Sequence, residues 1–132
     1  MHHWMWDGVR FEFLNVKLLH ASKNNHSCVL KISNADFQLL LTGDIERGLE
    51  SKLSHLPIRA TVLQVPHHGS FTSSTHKFIQ KVKPKLAVVS VGLHNRYHLP
   101  NLKIIRRYQN LHIPWMSTAD LGMIRVIFHR HR

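Results

Sequence analysis

The sequence predicts an α/β fold. Three observations carry that expectation. Strand-sized apolar runs alternate with segments of helical period along the 132 residues. Two runs, Leu40-Leu41-Thr42-Gly43-Asp44 and Val65-Pro66-His67-His68-Gly69-Ser70, stop abruptly at residue types that ligate metals. The length suits one domain with a modest core, and no apolar run approaches the roughly 18 residues of a membrane span.

Taken in order, partial alternation from Val9 to Val16 predicts a first strand after an abrupt start with exposed Trp4 and Trp6. Ser22 to Asn25 reads as a polar loop. Ser27 to Ile32 and Phe37 to Leu41 read as strands joined by the turn residues Ser33-Asn34-Ala35-Asp36. Ile45, Leu49 and Leu53 recur every four residues, so Ile45 to Leu53 reads as a helix with Asp44 as its N-cap. Ala60 to Val65 is a buried strand stopped by Pro66, followed by a loop from His67 to Ser73. Ser74 is the expected N-cap of a helix to Val82 with Phe78, Ile79 and Val82 inward. Leu86 to Val91 is a further strand and Gly92 to Leu99 a loop. Pro100 fits the first turn of a helix to Asn110 with Leu102, Ile105 and Tyr108 inward. Ile113 to Met116 and Met123 to Phe128 read as short closing strands. A frayed basic tail is expected from about residue 128, and residues 1–132 form one domain.

Composition narrows the function classes. One cysteine excludes an internal disulfide and a multi-cysteine zinc knuckle, and Cys28 reads as a small core residue. Eighteen Lys and Arg against seven Asp and Glu give a net charge of +11. Such a chain attracts phosphate backbones, although an anionic membrane or plain solvation would also suit it. No signal peptide is legible, so the chain by itself is expected in the cytoplasm.

The candidate chemistry lies at strand ends. Asp44 follows Thr42-Gly43 and can reach a metal in a cleft, or simply cap a helix. His67 and His68 point in different directions, so one of them would bind a given ion; surface histidines are the plainer reading in a chain with thirteen. Ser70 suits a phosphate. Asn25 and Ser27 suit a substrate or a turn cap. Asn95, Arg96, Tyr97 and His98 form a polar-aromatic loop suited to a phosphate or a nucleobase. A catalytic zinc needs about three protein ligands, and a two-metal site more. Asp44 and His67 give two, and no His-x-His-x-Asp-His cluster is present.

In order, Asn25-His26-Ser27-Cys28-Val29-Leu30, Leu40 to Glu46, Val65 to Ser70, Ser90-Val91-Gly92 and Asn95-Arg96-Tyr97 resemble the C-terminal metallo-β-lactamase-like domain of the ComEC/Rec2 DNA-internalisation competence proteins. The resemblance runs from about Trp6 to Phe128. It implies the C-terminal half of an αββα metallo-β-lactamase sandwich, a partial domain. It implies that Asp44 matches a metal-bridging aspartate and His67 a late metal ligand with His68 beside it, the metal being zinc or manganese. It implies DNA as partner, a covalently linked membrane channel, and a place at the outer face of the bacterial inner membrane.

Three departures bear on activity. The family's His-x-His-x-Asp-His segment would lie upstream of Met1. Leu99 stands where the family has histidine, with His98 one residue early. Ala119 stands where an acidic residue is frequent. The expectation is therefore a nuclease-like hydrolase domain of DNA uptake that is incomplete and inactive in this truncated form, with no ion held. The alternatives are a non-catalytic basic nucleic-acid-binding module, and a divergent hydrolase completed by another chain. A half-sandwich also exposes one apolar sheet face, which favours self-association or a missing partner half.

Overall fold

The structure, a computed structural model, describes residues 2–14 and 21–129. Its sheet begins with a hairpin, β1 (His3–Trp6) and β2 (Val9–Phe13). Asp7 and Gly8 join them with φ of 49° and 75°, the left-handed pair that a two-residue hairpin turn requires. β3 (Leu30–Ser33) and β4 (Gln38–Leu41) form a second hairpin, whose turn is held by Asn34 Oδ1 accepting from the amides of Asp36 and Phe37. β5 (Val62–Gln64), β6 (Leu86–Val89) and β7 (Trp115–Ser117) follow in parallel with β4. The fold is α/β: among the described residues, one seven-stranded mixed sheet in the sequential order β1 to β7, with four α-helices.

α1 (Arg47–Leu53), α2 (His76–Val82) and α3 (Leu102–Asn110) occupy the three parallel crossovers, and α4 (Thr118–Leu121) follows β7. Crossovers of this kind are right-handed. Three made in the same direction place their helices on one face of the sheet. That face carries the core: Leu40, Leu63, Ala87 and Val89 from the strands meet Leu49, Leu53, Phe78, Ile79, Val82, Ile104, Ile105 and Tyr108 from the helices. Helices of seven residues do not persist alone in water. Here Phe78, Ile79 and Val82 are fully buried, worth about 2 kcal/mol each.

Alternation sends the other residues to the opposite face. Trp4, Val9, Phe11, Phe13, Leu30, Ile32, Leu39, Leu41, Val62 and Val88 share it through the ladder register. No helix among the described residues covers it. Trp4 stacks on Phe11 at 5.1 Å and Trp6 remains 72% exposed. Among the described residues a cover appears toward β4–β6, where Ile124, Val126 and Phe128 line a groove with Leu39, Leu41, Val62 and Val88.

Several expectations are corrected. Residues 3–6 form a strand, because β1 gains its partners from β2. The expected strand end at residues 15 and 16 lies outside the described residues. Glu46, not Asp44, precedes the first turn of α1: the Asp44 amide is taken by Ser27 Oγ at 3.1 Å, so the chain turns before it can coil. Thr75 caps α2, and Ser74 is buried instead, with its Oγ 2.9 Å from the Tyr108 hydroxyl. Asn101 caps α3, leaving Pro100 before the helix, and the inward face is Ile104, Ile105 and Tyr108 while Leu102 is 71% exposed. Met123 to Phe128 pairs with no described strand; its alternate residues turn onto the sheet face. Phe128 stacks on Phe37 at 4.2 Å, so the chain is anchored there rather than frayed; residues 130–132 lie outside the described residues. Cys28 is exposed, because Val29 beside it turns into the core.

Glu50 ties the helices together. It is fully buried and accepts from the amides of Ser74 at 2.6 Å and Thr75 at 3.0 Å. Burial raises its pKa above the ordinary 4.5, outweighing the lowering by those amides, the Thr75 side chain and Arg107. The folded chain therefore holds this proton more tightly than the unfolded chain does. The resulting stabilisation is full below the ordinary carboxylate range and is lost as pH rises through the raised value. Urea unfolding between pH 4 and 8 is expected to show that loss, and Glu50→Gln to flatten it. Glu50→Ala, which leaves a buried and a half-buried amide without acceptors, is expected to lower stability by about 2–3 kcal/mol at pH 7.

Candidate functional site

The carboxyl ends of β4, β5 and β6 point the same way, because these strands are parallel. Each ends in a loop that carries candidate residues. In open α/β sheets this is the edge where ligands bind.

The first loop is Thr42 to Glu46. Thr42 Oγ1 donates to the Gln64 carbonyl at 2.8 Å, and Gln64 Oε1 accepts from the amide of Thr42 at 3.1 Å. Gly43 has φ of 58°, and a Cβ there would lie 3.0 Å from that of Ser27. Asn25 Oδ1 accepts from the Glu46 amide at 2.8 Å, as Ser27 Oγ does from that of Asp44. Asn25 and Ser27 thus fix the backbone that presents Asp44 and Glu46. Buried Ile45 lies between the two carboxylates, so both project on the open side.

The second loop is a turn over Pro66–Gly69. His67 and His68 have φ of 51° and 56° and Gly69 has 77°, three successive left-handed residues. For a residue with a Cβ that conformation costs about 1 kcal/mol, so the surroundings must hold it. They do: the His67 amide donates to the Gly43 carbonyl, the Ser70 amide to that of His67, and the Asn101 amide to that of Gly69, each at 2.9 Å. The result splays the two imidazoles, with ring centroids 6.3 Å apart.

His68 meets Asp44. Its Nε2 lies 3.2 Å from Asp44 Oδ1, and its Nδ1 lies 2.6 Å from the Ser90 carbonyl oxygen. A carbonyl only accepts, so Nδ1 carries a hydrogen. In the neutral ring Nε2 is then a bare lone pair facing a carboxylate. A proton or a cation satisfies such a pair, and backbone anchoring through Nδ1 is how metal-ligating histidines are commonly oriented. His67 turns elsewhere: its Nδ1 lies 3.2 Å from Thr72 Oγ1, near Glu46. Ser70 Oγ also contacts Thr72 Oγ1, at 3.1 Å. The geometry therefore brings Asp44 together with His68 and turns His67 to Thr72.

Glu46 is the residue that sequence reasoning missed. Desolvation pushes its pKa up. Hydrogen bonds from Thr72, Ser22 and Asn24, with the nearby His67, outweigh that and hold the carboxyl below its ordinary range. The signal was available as Asp44-Ile45-Glu46, two carboxylates flanking a core residue.

The third loop closes a cleft of about 330 Å³ lined by His68, Ser90, Val91, Asn95, Tyr97 and Thr118, among others. Asn95 closes the loop on itself, donating to the carbonyls of Gly92 and Leu99 and accepting from the Leu99 amide. Arg96 lies 5.3 Å over the ring of Tyr97, which is 70% exposed. His98 is exposed and follows this pair with φ of 52°.

Among the described residues, no three His, Cys, Asp or Glu side chains gather as a metal cluster. Asp44 and His68 fit a pair of ligands and not a whole centre. No helix among the described residues is long and apolar enough to cross a membrane.

No family model matches the chain. Curated relatives do. The chain is 32% identical over 130 residues to Recombination protein 2 of Haemophilus influenzae, covering 98% of this chain and 16% of that protein. It is 40% identical over 107 residues to ComE operon protein 3 of Bacillus subtilis, covering 80% and 14%. It is 39% identical over 126 residues to Competence protein ComA of Neisseria gonorrhoeae, covering 92% and 18%. The chain thus spans about one sixth of the length of the relatives it matches.

Gly69 tests the turn. A Cβ there would lie 2.6 Å from that of Pro100 on a left-handed backbone. Gly69→Ala is expected to lower stability by about 2 kcal/mol in urea unfolding. Ser27→Ala, which removes the acceptor for the Asp44 amide, is expected to cost about 1 kcal/mol.

Proposed function

Because the chain belongs to the ComEC/Rec2 family of competence proteins, through a segment about one sixth of their length, we propose that it is a DNA-handling segment of a DNA-uptake protein and carries part of a metal-dependent phosphodiesterase centre. The observation that supports this most is the Asp44–His68 pair, two acceptor groups 3.2 Å apart at the ends of adjacent parallel strands. Zinc or manganese would be held there by the Asp44 carboxylate and the His68 imidazole, with His67 and Glu46 beside them. Such an ion supplies Lewis acidity toward a phosphodiester. The remaining ligands come from another part of the polypeptide or another chain. Without them the segment binds DNA and turns it over little or not at all.

Substrate binding rests on this chain's own residues. Its net charge is +11, and Ser70, Arg96 and Tyr97 lie on the loops beside Asp44 and His68. Phosphate contacts of this kind release counterions, so affinity falls steeply with salt. The low count of ligands among the described residues favours a second reading, a non-catalytic nucleic-acid-binding module. In an intact family member a linked channel would hold the domain at the outer face of the inner membrane.

The test is DNA binding by fluorescence anisotropy between 50 and 200 mM salt. Wild type is expected to lose affinity by about tenfold or more over that range. Asp44→Asn is expected to bind DNA within about twofold of wild type, because no phosphate contact is assigned to Asp44. Absence of binding at 50 mM salt would contradict the reading.

A further inference from the structure

We propose that Phe71, with Lys103 and Arg107 of α3 beside it and Arg106 exposed on the same helix, forms a stacking and phosphate-binding platform for single-stranded nucleic acid. This rests on the DNA-handling reading above and locates the strand on the chain. Phe71 is 47% exposed and lies outside the core cluster. The backbone around it is pinned. The Ser73 amide donates to the Ser70 carbonyl at 3.1 Å, Ser73 Oγ donates to the Ile45 carbonyl at 2.7 Å, and the Thr72 carbonyl accepts from the Arg47 amide at 3.0 Å. A loop held this firmly presents its aromatic ring outward instead of folding it in.

Cations surround the ring. Lys103 Nζ lies 5.5 Å and Arg107 Cζ 5.9 Å from its centroid, within cation–π range. Arg107 also donates to the Ser74 carbonyl at 2.9 Å, which holds that guanidinium in place. Lys103 and Arg106 project from the exposed side of a helix with no carboxylate in its sequence. Among the described residues neither has an acidic partner within salt-bridge distance. An exposed aromatic face beside unpaired cations suits a base and its phosphate together. Phe71 lies one residue beyond Ser70 on the loop that carries His67 and His68. Tyr97, with Arg96, offers a second exposed ring across the cleft from that loop. A strand bound by both rings would follow the loop that carries His68 and enter the cleft that His68 and Tyr97 line.

The experiment is anisotropy with a fluorescein-labelled oligothymidine of about twelve nucleotides and with a duplex of the same length, both across a salt series. Phe71→Leu keeps an apolar side chain and removes the π-face. It is expected to weaken oligothymidine binding about tenfold, to leave the salt slope unchanged and to leave duplex affinity within about twofold. Lys103→Gln with Arg106→Gln is expected to lower the slope by about 1.4, or about 0.7 for each phosphate no longer neutralised. Lys81→Gln with Lys85→Gln removes the same charge from the opposite end of the sheet and is expected to change the slope less. If wild type binds neither probe, both this proposal and the DNA-handling reading fall. If wild type binds but Phe71→Leu matches it on oligothymidine, or the two charge pairs behave alike, the platform alone falls.

Discussion

Three parallel crossovers made in one direction govern this molecule. Because β4 to β7 lie side by side in chain order, right-handed connections put α1, α2 and α3 on a single face. The same arrangement aligns the carboxyl ends of β4, β5 and β6 along one edge. Asp44, His68 and the Ser90–Leu99 loop meet there, although 46 residues separate Asp44 from Ser90 in sequence. The arrangement also leaves the second face of the sheet without helices among the described residues. Its aromatic and aliphatic residues are covered only in part, by Ile124, Val126 and Phe128 among the described residues.

The backbone at the site is set by side chains that never enter the cleft, with Asn95 the exception at its rim. Gln64 holds Thr42, Ser27 holds Asp44, Asn25 holds Glu46, and Asn95 holds its own loop. These contacts stabilise the surroundings of a turn with consecutive left-handed histidines that would otherwise be disfavoured. The strain fixes which imidazole faces the Asp44 carboxylate. It also explains why two adjacent histidines face different partners, Asp44 for one and Thr72 for the other.

Much of this was legible in the residues. The two apolar runs ending at Asp44 and His67-His68 marked the site edge, and the motif order pointed to the family that the relatives support. What escaped was set by tertiary contacts. β1 exists because β2 pairs with it, and His-Trp-Met-Trp has no alternation to announce that. Asp44 looked like a helix cap until Ser27, 17 residues earlier, took its amide. Leu102 fitted the helical period, yet Asn101 set the start of α3 so that Ile104 turned inward in its place. The resemblance points to His67 as the ligand beside Asp44, yet His68 is the one that faces it, because the directions of the two rings depend on φ values that no spacing encodes. An isolated phenylalanine in a loop carries no pattern, so the sequence does not single out Phe71; its significance lies in Lys103 and Arg107, more than 30 residues on.

The central claim is that Asp44 and His68 are part of a metal centre whose other ligands lie elsewhere. The most direct measurement is elemental analysis of the purified chain after exposure to zinc or manganese, with DNA cleavage assayed on the same sample with and without chelator. A partial centre predicts well under one ion per chain and no chelator-sensitive cleavage from correctly folded protein. One tightly held ion per monomeric chain, with cleavage that a chelator abolishes, would contradict it.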